Sequence, residues 1–201
     1  MNWLDAILII FGIIAVLGSL KIGLIKSIIP LAGFGTRLRP HTYTKPKPLI
    51  NVAGKAVLGH ILDKFAGTDA EEFIIVHGYL GEQIQAYMAQ KYPQYRARFV
   101  EQEEINGQAA AILLTRELVA GPVLIVFVDT LFEVDLSKLD TETADGIIYV
   151  KEVQDPRRFG VVKLDQAGYI TDFVEKPMTM DNRLAVIGMY YIKDSLYLMS
   201  A

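Results

Sequence analysis

The sequence predicts an α/β fold: a mixed, mainly parallel sheet covered by helices and preceded by one apolar helix at the amino terminus. Three features of the 201-residue chain carry that expectation. Short apolar runs alternate with helically spaced segments as far as Asp129, strands separated by turns take over after it, and the opening segment is almost free of charge. The length suits one full domain, or one domain with an appendage. Hydrophobic residues make up 52% of the chain, and much of the excess lies near the start. The absence of cysteine rules out disulfides and thiolate chemistry. A net charge of -3 with scattered Lys and Arg offers no polyanion-binding face, which argues against nucleic acid as a partner.

The elements follow in order. Residues 27–32 read as a buried strand, and Val57, Leu58, Ile61, Leu62 and Phe65 recur at the spacing of a helix over 56–65. A strand at 72–77, an amphipathic helix at 80–92, a strand at 98–102, a helix at 108–119 and a wholly apolar strand at 123–128 complete a βαβ series. Such series bind ligands at the carboxyl ends of their strands, where a Gly-rich loop, Gln102 and Asp129 all fall. Beyond Asp129, strands at 146–153, 160–164, 169–175 and 184–192, with a turn at Gln166-Ala167-Gly168, predict a mixed sheet edge. Asp194 reads as the cap of a last helix.

Ahead of the first strand, no charged residue occurs between Ala6 and Leu20, Trp3 lies near the start, and Lys21 and Lys26 stand at the far end. Residues 4–25 would make roughly 33 Å of helix, enough to span a bilayer. The two lysines, set against Asp5, place the following domain on the cytosolic side. The expectation is therefore a cytoplasmic domain over 26–201, tethered to a bacterial inner membrane through residues 1–25. An apolar helix lying on the domain or at a homo-oligomer contact is the second reading. A signal peptide comes last, because Asp5 replaces the usual basic start. The stretch MNWLDAILIIFGIIAVLGSLKIGLIKSII resembles the start of the colicin V production membrane proteins. It abuts the first strand without the polar linker of a tethered enzyme, as a fusion of two unrelated starts would.

The chemistry concentrates in GFGTRLRPHTYTKPKPL, from Gly33 to Leu49, directly after the first strand. Gly33 and Gly35 let backbone N–H groups approach an anion, and Thr36 adds a hydroxyl. Arg37 and Arg39 offer guanidinium forks, and Lys47 is a point charge held between Pro46 and Pro48. The bland alternative, solvated loop charges, fits poorly between glycines and prolines behind a buried strand. Neither GxxxxGK[ST] nor GxGxxG is met, so this is a phosphate loop of another kind. His41, His60 and His77 lack metal-ligand spacing, and Tyr190-Tyr191 reads as the two faces of one strand.

That segment resembles the signature of the sugar-1-phosphate nucleotidylyltransferases, the family that makes nucleotide sugars. Further segments are similar to it in the same order: Glu101-Gln102 with Gly107-Gln108-Ala109-Ala110-Ala111, Val126-Phe127-Val128-Asp129, Phe159-Gly160-Val161-Val162, and Phe173-Val174-Glu175-Lys176-Pro177. The resemblance implies a Rossmann-like three-layer αβα nucleotidyltransferase domain. It implies nucleotide binding by Leu31, Ala32, Gly33, Gly35, Thr36, Gln102 and Gly107, and sugar-phosphate binding by Gly160, Glu175 and Lys176. Arg37, Lys47 and Asp129 would be catalytic, with Asp129 holding Mg2+, and the substrates would be an NTP and a sugar 1-phosphate. Rival roles are a turn-capping Asp129, an edge-strand Gln102 and a surface Glu175-Lys176 pair. Val128 replaces a common Gly, and Ala56 stands where Pro often follows Gly-Lys. The family's second metal carboxylate falls beyond the helix that starts near Asp194, which leaves one ligand arm here. Two functions are therefore expected in rank order: a nucleotidylyltransferase, then a nucleotide- or nucleotide-sugar-binding module without turnover.

Overall fold

A computed structural model describes residues 25–33, 35–68, 70–129, 131–136, 139 and 143–200. Strand β1 (Ile25–Pro30) opens the domain, with Ile28 and Ile29 both fully buried, as a strand covered on two faces requires. Three single turns of 3-10 helix, Thr36–Leu38, His41–Tyr43 and Lys47–Leu49, carry the Gly-rich loop to the short strands β2 (Asn51–Val52) and β3 (Lys55–Ala56). Helix α1 (Val57–Asp63), strand β4 (Ala70–His77), helix α2 (Gly81–Lys91), strand β5 (Ala97–Glu101), helix α3 (Gln108–Leu113) and strand β6 (Val123–Val126) follow. The second half supplies β7 (Gly146–Glu152), β8 (Gly160–Leu164), β9 (Ile170–Glu175), β10 (Leu184–Ile192) and helix α4 (Ser195–Ser200).

The strands form one sheet in the order β5-β4-β1-β6-β10-β8-β9, with β7 also pairing with β10. β5, β4, β1 and β6 run parallel, while β10, β8, β9 and β7 join through antiparallel pairings. Alternate residues feed two cores. Ile29, Phe73, Ile75, Leu124 and Val126 pack with Leu58, Ile61, Leu62 and Ile84 of α1 and α2. Ile28, Ile74, Val76, Val123 and Ile125 pack with Ala111 of α3 and Val119. Helices on both faces make the expected three-layer αβα arrangement, with a mixed sheet whose parallel half carries the crossovers.

Three expectations change. The helix expected over 108–119 ends at Leu113, because the hydroxyl of the fully buried Thr115 donates to the Ile112 carbonyl at 2.7 Å and the chain tightens into a 3-10 turn at Arg116–Leu118. The uninterrupted strand over 184–192 carries a bulge between Val186 and Tyr190, centred on Gly188 at φ 72°. There β10 exchanges β8 for β6 as its neighbour, and the Gly188 carbonyl accepts the Phe127 N–H at 2.9 Å.

The third change concerns the amino-terminal segment. β1 begins at Ile25, two residues earlier than expected, so Ile25 and Lys26 belong to the sheet. Lys26 Nζ donates to the Leu118 carbonyl at 2.9 Å and lies 4.0 Å from the buried Glu72, which removes it from the flank of any membrane segment. The rest of the apolar stretch, read as a membrane helix, lies outside the described residues. Among the described residues no helix is long and apolar enough to cross a membrane.

Candidate functional site

The parallel strands deliver their carboxyl ends to one edge of the domain, and glycines let those ends converge. Gly78, just past β4, sits so close to its neighbours that a Cβ there would lie 3.2 Å from the Ala32 carbonyl and 3.4 Å from the Gln102 carbonyl. Leu31 N–H donates to the Val76 carbonyl at 2.6 Å, and Gln102 N–H to the His77 carbonyl at 2.7 Å. Leu31 and Ala32 on one side and Gln102 on the other, from separate segments of sequence, are thereby held against the end of β4.

The Gly-rich loop is folded by its own residues. Gly35 adopts φ 59°, and its carbonyl accepts the Thr42 hydroxyl at 2.9 Å. A Cβ at Gly35 would meet Thr42 Cγ2 at 2.9 Å and Lys47 Cβ at 3.2 Å, so this glycine sets how near the lysine segment can come. Tyr79 donates to the Tyr43 carbonyl at 2.7 Å and Gln83 Nε2 to the Thr44 carbonyl at 3.0 Å, pinning the loop to the start of α2. Gly35→Ala is expected to cost about 1–2 kcal/mol through the left-handed backbone alone. It should also weaken nucleotide binding by displacing Lys47, which thermal unfolding and nucleotide titration would measure separately.

Lys47 Nζ lies 4.0 Å from Asp129 Oδ2, both side chains being partly open to solvent. Between them is a cleft of about 100 Å³ whose walls include Leu31, Gly33, Gln108, Phe127 and Val128. Burial raises the pKa of the neighbouring Tyr190 phenol, and the Asp129 charge adds to the shift. Thr36 is exposed at the start of its turn. The Arg37 backbone belongs to that turn, and its side chain lies outside the described part of the structure. The guanidinium of Arg39, read from sequence as a phosphate fork, lies over the Tyr43 ring, 5.3 Å from the centroid.

Gln102, 4% exposed, donates through Nε2 to Asn106 Oδ1 at 2.9 Å and to the Gly107 carbonyl at 3.2 Å. Gly107, at φ 114°, starts α3. Gly160, Glu175 and Lys176 also come together. Gly160 pairs with Glu175 across β8 and β9, the Lys176 N–H donates to the Phe159 carbonyl at 3.0 Å, and the Lys176 ammonium lies 3.2 Å from Glu175. Ahead of them Asp155 accepts the Arg157 backbone N–H at 3.1 Å and both of its guanidinium contacts. Those hydrogen bonds hold its carboxyl down to about 2, so the turn into β8 keeps its charge pair at any ordinary pH.

The family profile described as Nucleotidyl transferase matches residues 26–201. The chain belongs to the nucleotidyl transferase family. It is 37% identical over 172 residues to the bifunctional protein GlmU of Methanocaldococcus jannaschii, a match that covers 85% of this chain and 40% of that protein. It is 29% identical over 178 residues to the UTP–glucose-1-phosphate uridylyltransferase AglF of Haloferax volcanii, covering 86% of this chain and 73% of that one. The chain thus spans less than half the length of the GlmU relative. The fold matches that of an apo UDP-glucose pyrophosphorylase with a TM-score of 0.78 at 23% identity, over 89% of this chain and 81% of the other. The expected kinship with sugar-1-phosphate nucleotidylyltransferases therefore holds. The profile begins at residue 26 and lends no support to the colicin V resemblance of the opening segment.

Within this nucleotidyl transferase domain, sequence reading passed over Gly78, Asn106 and Gly188, and quoted Gln108 and Phe127 only as members of matching segments, without a role. The two glycines carried a signal: an isolated Gly inside or just past a strand marks a bulge or a close backbone approach. Asn106 carried none beyond its nearness to Gly107.

Proposed function

We propose that this domain transfers a nucleotidyl group from an NTP to a sugar 1-phosphate, giving an NDP-sugar and pyrophosphate by in-line displacement at the α-phosphate. The reading rests above all on the approach of Lys47 to Asp129 across the cleft, which pairs a cation on the Gly-rich loop with a carboxylate at the tip of β6. A sugar phosphate oxygen is already anionic near neutral pH and needs little help from a base. The difficulty is bringing one anion against another. Lys47, with Arg37 of the same loop, would neutralise the triphosphate as pyrophosphate leaves, and the N–H groups around Gly33 and Gly35 would hold the phosphates in line. Leu31, Ala32, Thr36, Gln102 and Gly107 would seat the nucleoside, and Gly160, Glu175 and Lys176 the sugar phosphate.

Asp129 fits magnesium as one carboxylate arm, because this ion commonly takes one or two carboxylates and completes its shell with substrate phosphates and water. Bound there, magnesium would neutralise phosphate charge on the α-phosphate side of the cleft. Among the described residues no cluster of three or more His, Asp or Glu could hold a metal. With Asp129 as the one carboxylate among the described residues lining the cleft, the second reading is a nucleotide- or nucleotide-sugar-binding module with little or no turnover.

Pyrophosphate release measured across a panel of NTPs and sugar 1-phosphates with Mg2+ separates the two. Release with at least one pair is expected. Nucleotide binding with no release in any combination would leave only the binding module.

A further inference from the structure

The second core is covered by little chain. Over Ile28, Ile74 and Ile125 lie α3 and α4, six residues each, and the Arg116–Leu118 turn against which α4 packs. Leu118, Leu198 and Met199 close the edge of this core and are only half-buried. Beside them on α4, Leu196 and Tyr197 stand 65% and 78% exposed. Among the described residues nothing covers this apolar patch, which water disfavours.

The patch lies where the opening segment enters the fold. Lys26 of β1 and Ile192 of β10 both pair with Val123 of β6, one on each side. At the usual spacing of sheet neighbours, the start of β1 and the end of β10 are then about 10 Å apart. Ser195, the first residue of α4, donates its N–H to the Gly121 carbonyl at 3.0 Å, and Lys26 reaches the Leu118 carbonyl at 2.9 Å. Residues 1–24 precede β1, and even at the short rise of a helix about seven of them cross such a gap. They carry no charge between Ala6 and Leu20. The other flank of β1 at this edge does not suit an apolar chain, because Glu72 with Arg96 and Arg98 occupies it. A bilayer suits the segment less well than the patch does. Ile25 already belongs to the sheet, so no polar linker separates the segment from the domain, and the Lys26 ammonium is held by Leu118 and Glu72 instead of facing headgroups.

We propose that residues 1–24 dock on the domain's own surface, with their apolar side chains over Leu196, Tyr197 and the half-buried rim of the second core. Docked there, the segment covers the amino ends of the strands and leaves the cleft between Lys47 and Asp129, at the carboxyl ends, open.

The test is photo-crosslinking of the full chain in detergent-free buffer, with p-benzoylphenylalanine placed at Tyr197, an exposed position that tolerates a similar ring. Mass spectrometry of the digested product is expected to find an adduct with a peptide from residues 1–24, in material of monomer size. The same probe placed at Met178, 93% exposed beyond β9, should lose that adduct. Vesicles of phosphatidylcholine and phosphatidylglycerol, added before irradiation, should leave it in place. Any of four results overturns the proposal. An adduct in material of dimer size puts a second copy on the patch, and an adduct to lipid puts a bilayer there. Equal labelling of residues 1–24 from Met178 makes the contact unspecific, and no adduct at Tyr197 leaves the patch to solvent.

Discussion

Lys47→Ala should lower pyrophosphate release by about 10²- to 10³-fold, the range seen when one preorganised charge or donor is withdrawn from a developing anion. Lys47 is placed for that effect by restraints that do not depend on its ammonium. Pro46 and Pro48 flank it, the Lys47–Leu49 turn fixes its backbone, and the close approach of Gly35 sets how near it lies to the glycine end of the loop. Its side chain is 38% exposed and its partner Asp129 more so, so deleting the ammonium should leave the unfolding midpoint nearly unchanged. More charge has developed on the departing pyrophosphate in the transition state than in the bound NTP. The loss should therefore appear in kcat more than in KM for the NTP. Lys47→Arg keeps the charge but replaces a compact ammonium with a planar fork, and only partial rescue is expected. An Ala variant releasing pyrophosphate at the parental rate would make Lys47 a loop charge and remove the main support for the enzyme reading.

How much of this could be read in advance follows from the range over which each feature is determined. The core strands were legible because apolar runs such as Val123–Val126 and the Ile74-Ile75-Val76 stretch must be buried on two faces, whatever surrounds them. The Gly-rich loop was legible because its backbone demands are local, and Gly35 does adopt positive φ. What failed depended on partners far along the chain. Lys26 looked like the basic flank of an apolar helix, yet it serves the Leu118 carbonyl, 92 residues away. Gly188 sat in a convincing strand pattern, and only the approach of Phe127 explains why β10 bends there. Around the cleft, the hydrogen bond from Gln102 to Asn106 was not legible, because the Asn106 side chain belongs to no motif.

At the opposite end of the parallel strands, Arg96→Ala with Arg98→Ala is expected to destabilise the fold by about 3–5 kcal/mol, the cost of stranding a buried charge. The Glu72 side chain is 1% exposed, and the Nε of each arginine lies 2.8 Å from its Oε1, with Lys26 at 4.0 Å. The arginine side chains are themselves 62% and 45% exposed. The damage falls on the carboxylate left under β1, β4 and β5 with a single distant ammonium. Chemical denaturation of the double variant measures the loss directly. Glu72→Met on the unaltered arginines supplies the contrast: it removes the buried charge, leaves two cations in water, and should cost far less. A double variant as stable as its parent would show that this cluster is a set of surface ion pairs, each worth under about 1 kcal/mol. If the large loss is found, the two ends of the strands carry opposite assignments. Buried charge at the amino ends is matched within the chain and serves stability, whereas Lys47 and Asp129 at the carboxyl ends lie 4.0 Å apart, partly open to solvent, on the wall of a cleft of about 100 Å³.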